Sequence, residues 1–281
     1  MPNEKSELLC QLQGWLQKIM QEEIASQPPL LKEPCHQSSA NEEFVSNLSL
    51  YWDESPGSVY DKLQNFPKYV AREDITKFLA RHEIFLKQLH IHGSIVDIGV
   101  LRGCSFFTWH HLSSIYEPVN YTREIIGFDT FCGIPELSPE DAQSHSPSEY
   151  LKPQGFAPEN GMMEDILRSV RIHDTTRHLS HINKTSIISG DITLTLPEFI
   201  KAHPYLLVSL LNIDVDIYKP TKLALELILP RMPKGAIIIF DEIGNKLFPG
   251  ETMAVSDIIG ISNLKIQRFS YAPAISYAVI E

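Results

Sequence analysis

Two acidic pairs stand where they could do chemistry: Asp214 and Asp216 flank Val215, and Asp241 is followed by Glu242. Each pair directly follows an apolar run, residues 206 to 211 and 236 to 239, that reads as a buried strand. Carboxylates at the C-terminal ends of buried strands gather at the mouth of a parallel sheet, where open α/β proteins bind their ligands. Clustered carboxylates repel one another and raise each other's pKa unless a cation compensates them. A divalent metal is the first expectation.

A second group suits a nucleoside. The β-branched run 94 to 98 leads into Asp97-Ile98-Gly99-Val100-Leu101-Arg102-Gly103-Cys104-Ser105 and then a helical stretch. Glycines in a strand-to-helix turn let a ligand approach the backbone, and the helix N-terminus favours negative charge. The turn lacks the G-x-G-x-x-G spacing of dinucleotide folds and is equally explained as a conformational turn. The next strand ends in Gly127-Phe128-Asp129-Thr130-Phe131, so Asp129 is placed to accept hydrogen bonds from a ribose diol, and Phe131 offers a flat surface for a purine. At Ser189-Gly190-Asp191-Ile192, Asp191 could accept from an exocyclic amine. Singly, each acid reads equally well as a helix N-cap. Together, three successive strand ends describe an adenosine-shaped site.

The elements that must position these residues alternate. Strands are expected over 94 to 98, 124 to 128, 186 to 189, 206 to 213 and 236 to 240, and helices over 104 to 116, 196 to 202 and 222 to 229. Residues 264 to 269 and 275 to 280 read as a hairpin, which closes the sheet with an antiparallel edge. The Pro-, Ser- and Gly-rich segment 132 to 165 reads as a lid loop, since a loop this long within a domain is usually functional. Upstream, residues 46 to 93 read as a helical lead-in. Residues 1 to 45 read as an amphipathic helix, with Leu8, Leu9, Leu12, Trp15, Leu16, Ile19 and Met20 in one stripe, and a linker. That stripe suits packing on the chain's own core, or a homodimer or higher homo-oligomer.

Composition narrows the partners. A net charge of −11 on 281 residues argues against nucleic acid and anionic membrane surfaces. No apolar run approaches the roughly 18 residues of a membrane span, the start lacks signal-peptide character, and four cysteines without metal or disulfide spacing suit a reducing, cytoplasmic setting.

The ordered set of Asp97-Ile98-Gly99-Val100-Leu101-Arg102-Gly103, the run Gly127 to Pro135, Gly190-Asp191 and Asp214-Val215-Asp216-Ile217-Tyr218 resembles the macrocin O-methyltransferase (TylF-type) family of class I S-adenosylmethionine-dependent methyltransferases. The resemblance spans roughly residues 65 to 281. It implies a Rossmann-like α/β fold with a mostly parallel seven-stranded sheet, and methylation of a hydroxyl on a sugar, nucleotide sugar or glycosylated natural product. It also implies S-adenosyl-L-methionine at Asp97, Gly99, Arg102, Gly103 and Ser105, with Asp129, Thr130 and Phe131 on the ribose side and Gly190, Asp191 and Ile192 near the adenine. Asp214, Asp241 and Glu242 are implied as ligands of Mg²⁺. Three departures stand out: the family commonly has Glu at 97, Gly at 215 and Asp at 242. The stretch Phe248 to Val255 fits a subgroup pattern near the acceptor pocket.

All-oxygen ligands without His or Cys suit Mg²⁺, or else Mn²⁺ or Ca²⁺, over Zn²⁺. A sugar hydroxyl is a weak acid, and Asp214 is placed to serve both as ligand and as the base that takes its proton. Asp216 reads as a cap for a helix beginning near Pro220. His110, His111, His145, His173, His178 and His181 are further base candidates, each more simply structural. An NAD(P)-dependent oxidoreductase is the competing class, because Tyr218 and Lys222 spell its Tyr-x-x-x-Lys pair; Pro220 is expected to break the helix that would align them. A non-catalytic S-adenosylmethionine-binding protein is a third reading. An Asp-x-Asp glycosyltransferase leaves the glycine turn unexplained.

Overall fold

The computed structural model describes residues 38 to 144 and 147 to 281. The apolar stripe expected over 6 to 26, and His145, lie outside the described residues. The chain divides into two units, one up to Val70 and one from Ala71 to Glu281. In the first, α1 (Ser39–Glu54) and α2 (Val59–Gln64) are helical. The start of α2 is set by a reciprocal cap, in which the Asp61 N–H donates to Ser58 Oγ and the Ser58 N–H to Asp61 Oδ2.

The second unit runs α3 (Arg72–Gln88), β1 (Ser94–Ile98), α4 (Cys104–Tyr116), β2 (Ile125–Asp129), α5 (Met162–Asp174), β3 (Thr185–Ser189), α6 (Ile192–Ala202), β4 (Val208–Ile213), α7 (Tyr218–Ile228), β5 (Ile237–Phe240), α8 (Pro249–Ile258), β6 (Gln267–Arg268) and β7 (Ser276–Val279). The seven strands lie in the order β3-β2-β1-β4-β5-β7-β6. β3 to β5 across this order are parallel, and β7 pairs antiparallel with both β5 and β6. The expected parallel sheet with an antiparallel C-terminal edge is the one observed.

Strand alternation builds two core layers. Val96, Ile98, Ile126, Leu211, Ile238 and Phe240 pack on one face, while their neighbours Ile95, Ile125, Leu210, Ile237 and Ile239 pack on the other. Successive side chains point to opposite faces, so a strand covered by helices on both sides must be apolar throughout. Chain order reverses between β1 and β4, which share an edge. In open α/β sheets such a switch point, beyond the C-terminal strand ends, is where ligands bind.

Several boundaries differ from the sequence reading, each for a local reason. Helix α5 begins inside the segment read as lid, because its apolar positions follow a stretch dominated by Pro and Gly. Helix α6 begins four residues earlier than expected, at Ile192, since Asp191 caps it. Pro220 does not interrupt α7: it falls in the first turn, where no intrahelical N–H is needed. Tyr218 and Lys222 therefore do align, with Lys222 Nζ donating to Tyr218 Oη at 2.9 Å and that hydroxyl donating to Asp257 Oδ2 at 2.7 Å. The N-cap of α7 is Ile217, not Asp216.

The segment between β2 and α5 is tied down at several of its described residues. Buried Asp141 accepts from the Tyr218 N–H at 2.8 Å and from the Ser138 N–H and hydroxyl at 2.8 and 2.6 Å, so it serves the first turn of α7 from a distant loop. Ser144 Oγ donates to Lys246 O at 2.6 Å, and Arg102 pairs bidentately with Glu159 at 3.0 and 2.8 Å. Among the described residues no helix is long and apolar enough to cross a membrane.

Candidate active site

The turn after β1 is shaped by what packs behind it. Gly99 has φ 92°, and a Cβ there would lie 1.8 Å from the carbonyl oxygen of Asp214. Only glycine meets both the conformation and the space. The Asp214 N–H donates to Ile98 O and the Gly99 N–H to Phe128 O, both at 2.9 Å, so three strand ends are stitched together here. Gly103, at φ 90°, is the N-cap of α4.

Asp129 holds this turn. Its Oδ2 accepts from the Leu101 N–H at 2.7 Å and its Oδ1 from the Phe131 N–H at 2.6 Å, with both donors in left-handed backbone. A carboxylate has about four acceptor sites, so two such bonds leave capacity for a diol. The Gly190 N–H donates to Asp129 O at 2.9 Å, which brings the β3 end alongside. Thr130 Oγ1 donates to Gly133 O at 2.7 Å and closes the next turn. Asp191 Oδ1 accepts from the Thr193 N–H and hydroxyl at 2.9 and 2.8 Å, a helix cap, while the Ile192 side chain lies in the core. Asp97 is fully buried, and both its oxygens are taken, by Ser105 Oγ at 2.8 Å and Asn212 Nδ2 at 2.6 Å. Burial pushes its pKa up to about 6, against the pull of these two bonds. Asp97 and Ser105 therefore brace β1, β4 and α4 from inside the protein, and Arg102 is engaged with Glu159. Asn212 lies within an otherwise mostly apolar strand, where no local pattern marks it for this role.

Across the switch point, β4 and β5 end in register, Ile213 beside Phe240, which sets Asp214 and Asp241 side by side. Burial, then the charge of Asp241, raises the Asp214 pKa well above the usual carboxylate range, although its residue keeps some solvent access. Asp216 carries φ 64°, so the left-handed residue of this segment is Asp216 and not position 215, where the family commonly has glycine. Glu242 accepts from the Asn245 side-chain amide.

Two further residues belong to this neighbourhood. Glu251, third residue of α8, is fully buried; its Oε1 accepts from the Glu242 N–H at 3.1 Å, and its Oε2 has no hydrogen-bond partner among the described residues. Burial and the charges of Asp241, Asp216, Glu242 and Asp214 raise its pKa. Arg81 of α3 is buried too, and Cys104, Asp241, Asp214 and Asp97 all act on its charge. Glu251 lay within the stretch 248 to 255 noted above. Nothing in the local pattern of α3 marks Arg81, because an amphipathic helix does not announce which charged side chain it turns inward.

Mutually repelling, oxygen-only carboxylates with one orphaned buried oxygen fit a hard divalent cation in donor chemistry. As arranged, no three His, Cys, Asp or Glu side chains among the described residues converge on one point, so Asp214, Asp241 and Glu242 would have to turn toward one another to take a cation.

The histidines form a different cluster. His110 and His111 of α4 meet His173 of α5, with ring centroids 4.6 Å apart for His111 and His173 and 6.2 Å for His110 and His173. His110 is buried, and its Nε2 lies 3.5 Å from Asp174 Oδ1. Burial outweighs Asp174 and pushes the His110 pKa down to about 4 from 6.5. Between those pH values the unfolded chain binds more protons than the folded one, so stability is lost as pH falls from 6.5 toward 4. This ring alone contributes about 3 kcal/mol to that loss. Urea unfolding from pH 7 to 4.5 measures it; His110→Gln should flatten the profile, and an unchanged slope would rule the ring out.

The sequence pattern of the macrocin-O-methyltransferase (TylF) family matches residues 79–258, more than half of the chain. The chain belongs to this family. As a TylF-family protein it falls in the class of O-methyltransferases, and the observed sheet is the one expected for that class. Among solved structures, it is similar to the calicheamicin methyltransferase CalS11, at 28% identity and TM-score 0.81 over 87% of this chain and 94% of that one. An apo structure of CalS11, there described as the TDP-rhamnose 3'-O-methyltransferase of calicheamicin biosynthesis, gives 27% identity and TM-score 0.75 over 87% and 96%. The O-methyltransferase NovP shares the fold, at 17% identity and TM-score 0.53 over 75% and 81%. No curated protein sequence matches this TylF-family chain significantly.

Proposed function

We propose that this chain transfers the methyl group of S-adenosyl-L-methionine to a hydroxyl of a sugar, nucleotide sugar or glycosylated natural product, with Mg²⁺ bound beside the acceptor. The observation that carries the reading is the contact of Gly99 with the backbone of Asp214. It supports reading the nucleoside-type turn and the acidic pair as two walls of one crevice. Similarity to CalS11 supports a sugar, and among sugars a nucleotide-linked one.

In this reading Asp129 accepts from the ribose diol, and Gly99 and Gly103 let the donor lie against the backbone. Asp191, Gly190 and Phe131 border the adenine. Asp97 and Ser105 act from behind, by holding the turn. Asp214 takes the proton from the acceptor hydroxyl as the new carbon–oxygen bond forms. The carbon–sulfur bond breaks, and its electron pair leaves on a neutral thioether. Asp214, Asp241 and Glu242 would hold the cation, which when bound supplies charge neutralisation and lowers the pKa of a hydroxyl next to it.

The test is methyl transfer from S-adenosyl-L-methionine to a panel of thymidine-diphosphate sugars and glycosides, followed by mass spectrometry with and without EDTA. Product formation that stops in EDTA and returns with Mg²⁺ is expected. Full activity in EDTA would remove the cation from the reading. Calorimetric binding of NAD, with none of S-adenosylhomocysteine, would replace methyl transfer with oxidoreduction.

A further inference from the structure

Two arginines in this fold are almost fully buried, and they are treated in opposite ways. Arg123, 3% exposed, is saturated: its Nε pairs with Glu117 at 2.8 Å, and its terminal nitrogens donate to Gln88 Oε1 at 2.7 Å and to the carbonyls of Gly93, Ile91 and Leu89 at 2.8, 2.9 and 3.2 Å. Arg81, 4% exposed, makes one weak bond, from Nη1 to Cys104 Sγ at 3.6 Å, and its Nε has no partner. Among the described residues no carboxylate lies within ion-pairing distance of it. Asp97, Asp214 and Asp241 are near enough to act on its charge, but they do not bind it.

A buried guanidinium is costly unless its donors are met, and its planar fork matches the two oxygens of a carboxylate. The partner it does touch, Cys104, is the first residue of α4 and follows Gly103 of the donor turn. We infer that Arg81 is the residue that recognises the carboxylate of the amino-acid tail of the methyl donor. This rests on the donor site proposed above. It assigns α3, which precedes the sheet, a share in that site, and it gives the acidic crevice a fixed cation beside which an anionic tail can bind.

The experiment is calorimetric titration of the full chain with two ligands. S-adenosylhomocysteine carries the tail, and 5'-methylthioadenosine shares the nucleoside and the sulfur but lacks the tail. A charge-assisted pair of this kind corresponds to about 10- to 100-fold in affinity. Arg81→Met should therefore weaken S-adenosylhomocysteine by about 30-fold and leave methylthioadenosine within about twofold. Arg81→Lys keeps the charge without the fork and should show a smaller loss, confined to the same ligand; it carries the test if the methionine variant does not fold. Equal losses for both ligands would mean that Arg81 only supports the fold, and would overturn the inference. So would an unchanged affinity for S-adenosylhomocysteine, or a loss confined to a nucleotide sugar. If the unaltered protein bound neither ligand, the donor reading itself would fall, and the inference with it.

Discussion

Gly99→Ala should unfold the junction between the two halves of the crevice. The added methyl would sit 1.8 Å from the Asp214 carbonyl oxygen and 2.7 Å from its carbonyl carbon, at φ 92°. Both contacts are with backbone, so no rotamer change relieves them, and β1 and β4 must separate or the turn must flip. Overpacking with left-handed strain is expected to cost about 3 kcal/mol or more. At roughly 2–4 °C per kcal/mol for a chain of this size, the melting temperature should fall by about 10 °C. Gly161 is the control. It also has positive φ, 85°, but a Cβ there meets nothing within 4 Å, so Gly161→Ala should lose only the backbone strain, about 1–2 kcal/mol. Thermal unfolding of the two variants side by side measures the difference. If they lost the same amount, the packing of Gly99 on Asp214 would not be what demands glycine there.

Asp214→Asn should leave a folded protein that binds donor and does not turn over. The amide keeps the size of the carboxylate, and the backbone N–H and carbonyl that stitch Asp214 to Ile98 and Gly99 are untouched. Removing one of two neighbouring, mutually repelling carboxylates should hold stability level or raise it slightly. The asparagine can neither accept the hydroxyl proton nor contribute charge to a cation. On the proposed mechanism kcat should drop by about 10³-fold or more, the combined scale of a lost base and a lost electrostatic contact. Affinity for S-adenosylhomocysteine should be kept, within a few-fold, because the asparagine removes none of the contacts assigned to the donor. Initial rates with a productive acceptor, alongside calorimetry, separate these effects. A variant retaining a tenth or more of the activity would remove Asp214 as the base.

The scaffold of this site was legible in the chain because its signals are local. The run 94 to 98, the two glycines of the turn and the helix 104 to 116 came out with the observed bounds, since a β-branched run, a glycine turn and a helical period follow one another without interruption. Acids at the ends of β2, β3, β4 and β5 could be located for the same reason. Where a local signal is compatible with two outcomes, the surrounding structure decides between them. Pro220 looked like a breaker but occupies a first turn, and the apolar spacing of α5 was obscured by the prolines and glycines before it.

By itself, the sequence determined the order of the strands along the chain, which of them are buried, and which strand ends carry carboxylates. Only the tertiary structure decided what those carboxylates do for one another. Asp97 turned out to be a brace, because Asn212 arrives from β4 to take its second oxygen. Asp141 reaches across from a loop to the start of α7, Glu251 comes in from α8 with one oxygen unmet, and Arg81 turns inward from α3. The physical reason is range: helix and strand periods are set by neighbours a few residues away, whereas the pKa and partners of a buried charge are set by whichever distant segments the fold brings within a few ångströms.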